Sequence, residues 1–352
     1  MNLTNENNNM KGVTHGKERD SNMELLRIIA MFLVLVVHAD FFSIGSPTLS
    51  EIKENELASF TRITIQAFSI GCVNMFVLLS GWYGIRPKLR GFLNLVFQCL
   101  FYLVGIYCVC LLLGISSFNL HGVAGCFLLL KWNWFIRAYM LLYILAPLLN
   151  AFVSSATEKQ LRVLLISFFT FQTIYSWLSD ASVFFEHGYS TISFIGLYLL
   201  AQYLSKYKTF LSKWSSSSVL FVFLIATFLL VLLYYVGRMF MIWRISSIVF
   251  KYDNPIVIVS SLSMVLFFSK LKIKSNLINW VAASSFAVFL LHTNPNLCKP
   301  YFVPFVKCLY LSNSGIPCLL YVLLFLVFVF IISILIDQIR LFLWRKLAPF
   351  VL

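Results

Sequence analysis

One apolar run, Glu24 to Phe42, which reads ELLRIIAMFLVLVVHADFF, carries Arg27 near its start and His38 near its end. At 100° per residue their separation is close to three whole turns, so on an α-helix both leave one face about 16 Å apart along the axis. Ionisable groups at membrane depth are costly in lipid and face a bundle interior or a wet cavity. An imidazole near its reference pKa takes up a hydroxyl proton at neutral pH, which makes general base the sharpest role for His38. A proton relay and a hydrogen-bonded packing residue are its alternatives. Arg27 is either a phosphate-binding cation or a snorkelling anchor. Glu24, one turn earlier, either orients Arg27 or offsets the helix dipole.

Other residues fit the same chemistry. Arg86, Lys88 and Arg90, across the next connection, are cations able to complete a phosphate cluster with Arg27, although positive charge on an inner loop predicts them too. In WNWFIRAYMLLY, Arg137 needs a partner or water, and with Trp134 and Tyr139 it has the make-up of a sugar-binding cavity wall; an aromatic belt is the plainer reading of Trp132 and Trp134. His292, in SSFAVFLLHTNPN, either shares a cavity with His38 or marks a helix end before Asn294 and Pro295.

The elements that must position these residues are membrane helices. The chain has 352 residues, 60% hydrophobic and 11% charged, with a mean hydropathy of +0.88, whereas water-soluble domains carry about 25% charged residues. Ten apolar segments can be drawn, approximately 24–44, 63–82, 93–115, 132–152, 161–177, 191–204, 219–236, 255–268, 277–291 and 316–336. The expected fold is therefore an all-α polytopic membrane protein, a bundle of about ten transmembrane helices. The net charge of +14 would point to nucleic acid on a soluble chain. Here most basic residues fall in short connections, among them Lys159, Arg162, Lys206, Lys270, Lys272, Lys274, Arg340, Arg345 and Lys346, which predicts both termini in the cytoplasm. Residues 1–20 are polar, lack the apolar core of a signal peptide, and read as a disordered cytoplasmic tail before an integral-membrane domain over 21–352. Cys298, Cys308 and Cys318 lie in or near one late loop and leave room for a single disulfide. No Cys-x-x-Cys pair occurs, so no metal site is expected.

The stretch MELLRIIAMFLVLVVH, with its arginine and histidine flanking ten residues, resembles the first membrane helix of acyltransferase family three, the bacterial integral-membrane acyltransferases. GCVNMFVLLSGWYG at 71–84, WFIRAYMLLYILAPLLN at 134–150 and SSFAVFLLHTNP at 284–295 extend the resemblance over nearly the whole chain after the tail. The resemblance implies about ten membrane helices in a bacterial cytoplasmic membrane, a cytoplasmic acyl-CoA donor, acetyl-CoA first, and transfer to a hydroxyl of a cell-surface or lipid-linked glycan. It also implies that Arg27 contacts the donor phosphates, that His38 is the catalytic base or acyl relay, and that Glu24 supports them. Acceptor choice is expected from the outer segments 238–248 and 294–315.

The rival expectation is a transporter or flippase for a glycan or amphipathic solute, with Asn74, Gln98 and Gln172 along its path and proton coupling through His38. Neither inverted repeats nor paired broken helices are visible to support it.

Overall fold

The computed structural model describes residues 20–127, 132–178, 184–207 and 213–351. The tail expected before residue 20 lies outside them, as does Asp180.

Helix α1 (Ser21–Val37) begins at Asp20 and carries Glu24 in its first turn, where the exposed N–H groups favour an acid. It does not continue as an α-helix to residue 44. The backbone widens into a π-turn over His38–Phe42, where the Ser43 hydroxyl donates to the His38 carbonyl at 2.5 Å and Arg62 holds Asp40 at 2.7 Å. Such turns insert a residue into the ladder and re-aim side chains, and they recur at functional sites. His38 opens this one.

Two helices, α2 (Leu49–Glu54) and α3 (Glu56–Ser69), follow, and α3 meets α4 (Cys72–Tyr83) at a break around Ile70 and Gly71. The chain continues through α5 (Leu89–Leu112), α6 (Leu120–Phe127), α7 (Trp134–Ser155), α8 (Glu158–Leu178) and α9 (Thr191–Lys206). The last third comprises α10 (Ser216–Met239), α11 (Trp243–Ile248), α12 (Pro255–Lys270), α13 (Asn276–His292), a π-turn at Cys298–Phe302, α14 (Val303–Ser312) and α15 (Gly315–Val351). No strand occurs among the described residues. Each of the ten apolar segments falls on a helix. Among the described residues, six units are long and apolar enough to cross a membrane: 21–42, the α3–α4 pair, α5, α7, α10 and α15. Helices α12 and α13 are apolar but shorter.

Helix α1 packs against α13, α4, α12, α3 and α15, which makes it the hub of the bundle. Small residues allow the closest approaches. A Cβ on Gly81 would lie 2.9 Å from the Ala201 Cβ, so glycine is what lets α4 and α9 touch. The Ser261 hydroxyl donates to the Gly71 carbonyl at 3.0 Å and ties α12 to the α3–α4 break.

Buried polar groups join other helices. Asn74 donates to the Tyr252 carbonyl at 2.8 Å, while Gln98 and Tyr102 each reach Asp337 at 3.3 Å. Gln172 is buried on α8. Asn74 and Gln98 thus serve separate contacts. Arg340, expected among the solvated inner cations, is 1% exposed and pairs with Asp337 at 2.6 Å. A cation this far out of water must be neutralised locally, and the i, i+3 spacing supplies the acid. All eight cysteines are free, so Cys298, Cys308 and Cys318 form no disulfide.

Candidate active site

His38 meets His292 at the C-terminal end of α1. The Nδ1 of His38 lies 2.7 Å from the Nε2 of His292, and the Nδ1 of His292 lies 2.5 Å from the Val288 carbonyl oxygen. A carbonyl only accepts, so His292 carries its proton on Nδ1, and its Nε2 holds a lone pair when the ring is neutral. That lone pair must take its hydrogen bond from the Nδ1–H of His38. The proton of neutral His38 is thereby committed, and its Nε2 is left as a base. An orienting partner that fixes the tautomer of a basic imidazole is the arrangement by which hydroxyl groups are activated.

His38 lines a cavity of about 1070 Å³. One wall is aromatic: Trp134 stands edge-on to Tyr189 with ring centroids 4.5 Å apart and stacks on Tyr252 at 6.1 Å. Tyr234, Arg238 and Trp243 continue the lining. Flat faces with polar rims suit the alternating C–H and hydroxyl surfaces of sugars. His292 is 3% exposed and is not part of the lining; it stands behind His38.

The remaining candidates disperse. Tyr139 bonds Ser80 at 3.0 Å, away from the cavity. Arg137 is exposed on α7 and also lies outside the lining. Asn294 is buried at the end of α13, donating to the Tyr102 carbonyl at 3.3 Å and accepting from the Asn296 N–H at 3.0 Å, a turn-forming role. Its neighbours Thr293 and Pro295 reach the cavity instead.

At the other end of α1, Arg27 is ion-paired with Glu24 and keeps a third of its side chain exposed. It does not line the His38 cavity. The Tyr83 hydroxyl donates to Asp20 at 3.0 Å, which brings the α4–α5 connection beside the start of α1. Arg86 and Lys88 are exposed on that connection, and Arg90 is exposed in the first turn of α5. The path of the connection is held by the Tyr198 hydroxyl, which accepts from the Ile85 N–H at 2.9 Å, and by Asn150, which donates to the Ile85 carbonyl at 2.8 Å. A second cavity, of about 950 Å³, opens at this end between α1, α4, α9 and the α12–α13 connection, lined by Lys270, Lys272 and Lys274.

Tyr189, Tyr252 and Tyr234 were not foreseen as site residues. Tyr189 and Tyr252 lie in connections just before α9 and α12, where an aromatic residue has no periodicity to expose its partner. Segment 238–248 did carry a signal, being basic and aromatic from the last turn of α10 onward, and it supplies Arg238, Trp243, Ser246 and Ser247 to the lining.

A multi-helix bundle built of apolar helices, with a hydrogen-bonded imidazole pair at the edge of an aromatic cavity, defines a polytopic membrane protein with the makings of a group-transfer enzyme. The acyltransferase domain model of acyltransferase family 3 matches residues 20–338, essentially the whole described chain, and the protein belongs to that family. Membership supports a transferase and does not favour transport. Comparison with curated proteins and with solved structures finds no match.

Proposed function

We propose that the protein moves a small acyl group, acetyl first, from acyl-CoA on the cytoplasmic side to a hydroxyl of a cell-surface or lipid-linked glycan. In this reading it works in a bacterial cytoplasmic membrane as a bundle of about ten spans with both termini inside. The observation that carries it is the chain from the Val288 carbonyl through His292 to His38, ending on a lone-pair nitrogen at an aromatic cavity.

The Nε2 of His38 takes the acceptor hydroxyl proton as the oxygen attacks the thioester carbon. The tetrahedral adduct collapses, the carbon–sulfur bond breaks, and the thiolate recovers the proton from His38, giving an ester and free CoA. In a two-step relay the same nitrogen would carry the acyl group. Release of one equivalent of CoA without acceptor marks the relay; its absence marks direct transfer.

Donor phosphates belong at the opposite end of α1. Arg27, the exposed Arg86, Lys88 and Arg90, and the lysines of the second cavity supply the cations there. The reach along α1 from Arg27 to His38, about 16 Å, suits a donor with its charge at one end and its thioester at the other.

The test is transfer of labelled acetyl from acetyl-CoA to polysaccharide in inverted membrane vesicles. Wild type should label polymer, His38→Ala should not, and Arg27→Ala should require more donor. Labelling that survives His38→Ala removes the catalytic assignment.

A further inference from the structure

We propose that the acceptor held in the His38 cavity is an anionic glycan, one whose sugars carry carboxylate or phosphate groups. The inference rests on the acyl-transfer reading for what the bound molecule does, and on the charge of the lining for what it is.

Three cations line the cavity, Arg238, Lys251 and Lys299, and no acidic side chain among the described residues does so. Arg238 is half-buried at the end of α10. Its Nε donates to the Tyr234 hydroxyl at 2.9 Å and one terminal nitrogen donates to the Ser46 hydroxyl at 3.0 Å. Both partners are neutral. A guanidinium has five N–H donors, so these bonds leave several unspent, and no carboxylate among the described residues pairs with the charge. The nearby acids are engaged elsewhere: Asp40 by Arg62 at 2.7 Å, and Asp253 by the Ser176 hydroxyl.

Three other buried or half-buried arginines of this fold have a carboxylate partner. Arg27 has Glu24, Arg62 has Asp40 and Arg340 has Asp337. Arg238 departs from that pattern, and it does so at the cavity. A partly desolvated cation kept without a counter-charge is costly unless an anion arrives. Topology does not account for it, because basic residues are selected on the inner side of the membrane and this cavity lies at the end of α1 opposite its start. Lys251 sits between Phe250 and Tyr252, both lining residues, and Lys299 is exposed at the rim, so the charges bracket the aromatic wall. Rings for the sugar faces with cations beside them describe a site for an acidic saccharide.

The test uses the full chain in phosphatidylcholine nanodiscs, with binding followed by tryptophan fluorescence. The probes are a galacturonate oligosaccharide, a phosphorylated malto-oligosaccharide and the neutral malto-oligosaccharide. At least one acidic probe should bind roughly tenfold more tightly than the neutral one, and which of them does so separates carboxylate from phosphate recognition. Added salt should shrink the advantage. Arg238→Gln should remove most of it, and Lys251→Gln and Lys299→Gln part of it, with neutral binding as the control for folding. Equal binding of all three probes, or an acidic preference untouched in the triple glutamine variant, overturns the proposal. His38→Ala separates the two readings: it should abolish acyl transfer and keep the acidic preference. A wild-type protein that prefers acidic probes yet transfers no acyl group refutes the acyl-transfer reading while the anion site stands.

Discussion

His38 and His292 are 254 residues apart in the chain and 2.7 Å apart in space, and the Val288 carbonyl beneath His292 dictates which nitrogen of His38 is free. In the proposed reaction His292 is therefore a positioning residue. His292→Ala should lower the turnover of acyl transfer by about 10²–10³, with the donor KM nearly unchanged, because the base loses its tautomer and orientation while its pocket persists. His292→Gln, whose amide oxygen can accept from His38, should recover part of the loss. Initial rates over a range of acetyl-CoA decide it. A raised acceptor KM with unchanged turnover would return His292 to substrate binding.

Gly81 sits where α4 crosses α9, with Ala201 2.9 Å from the position of any added Cβ. Gly81→Ala should cost about 1–3 kcal/mol by forcing the helices apart. Thermal unfolding in detergent would register this as a lower midpoint, and an unchanged midpoint would mean that the contact yields freely.

Asp337 and Arg340 form a buried pair, 0% and 1% exposed, that also holds Asn94, Gln98 and Tyr102. Removing only one charge, as in Arg340→Met, should destabilise by about 3–5 kcal/mol because its partner stays buried alone. The double change Asp337→Leu with Arg340→Met should recover most of that loss. Additive effects in this double-mutant cycle would show that the two charges are not coupled.

Asp40 lies two residues beyond His38 in the π-turn and is bound by Arg62, which also donates to the Gly45 carbonyl. Arg62→Ala should leave a buried carboxylate unpaired and loosen the turn that aims His38, lowering both the unfolding midpoint and turnover. Asp40→Asn with Arg62→Gln should restore the midpoint more than the turnover. Full turnover in Arg62→Ala would detach this pair from the aim of His38.

How much of this was legible varies by residue. The apolar runs marked helices at all ten segments, because the need to satisfy every backbone group in lipid makes long hydrophobic stretches helical whatever surrounds them. The motif around Arg27 and His38 pointed to the family for a similar reason, since its spacing lies within one helix and needs no knowledge of neighbours. Arg340 shows the limit. As one basic residue near a chain end it reads as solvated, and only the packing of α15 against α5 reveals that it is buried.

By itself, the sequence determined the helical class, the apolar helices of a multi-pass membrane protein, the family, and a histidine near the end of an apolar helix that carries a cation near its start. The tertiary structure alone decided that His38 pairs with His292 and that Arg27 stays outside the cavity His38 lines. It also decided that the cavity wall is drawn from Trp134, Tyr189, Tyr252 and Arg238, which sit on four different stretches of chain. The physical reason is that helix periodicity encodes which face of a segment is apolar, whereas the encounter of two faces depends on close packing between helices distant in sequence.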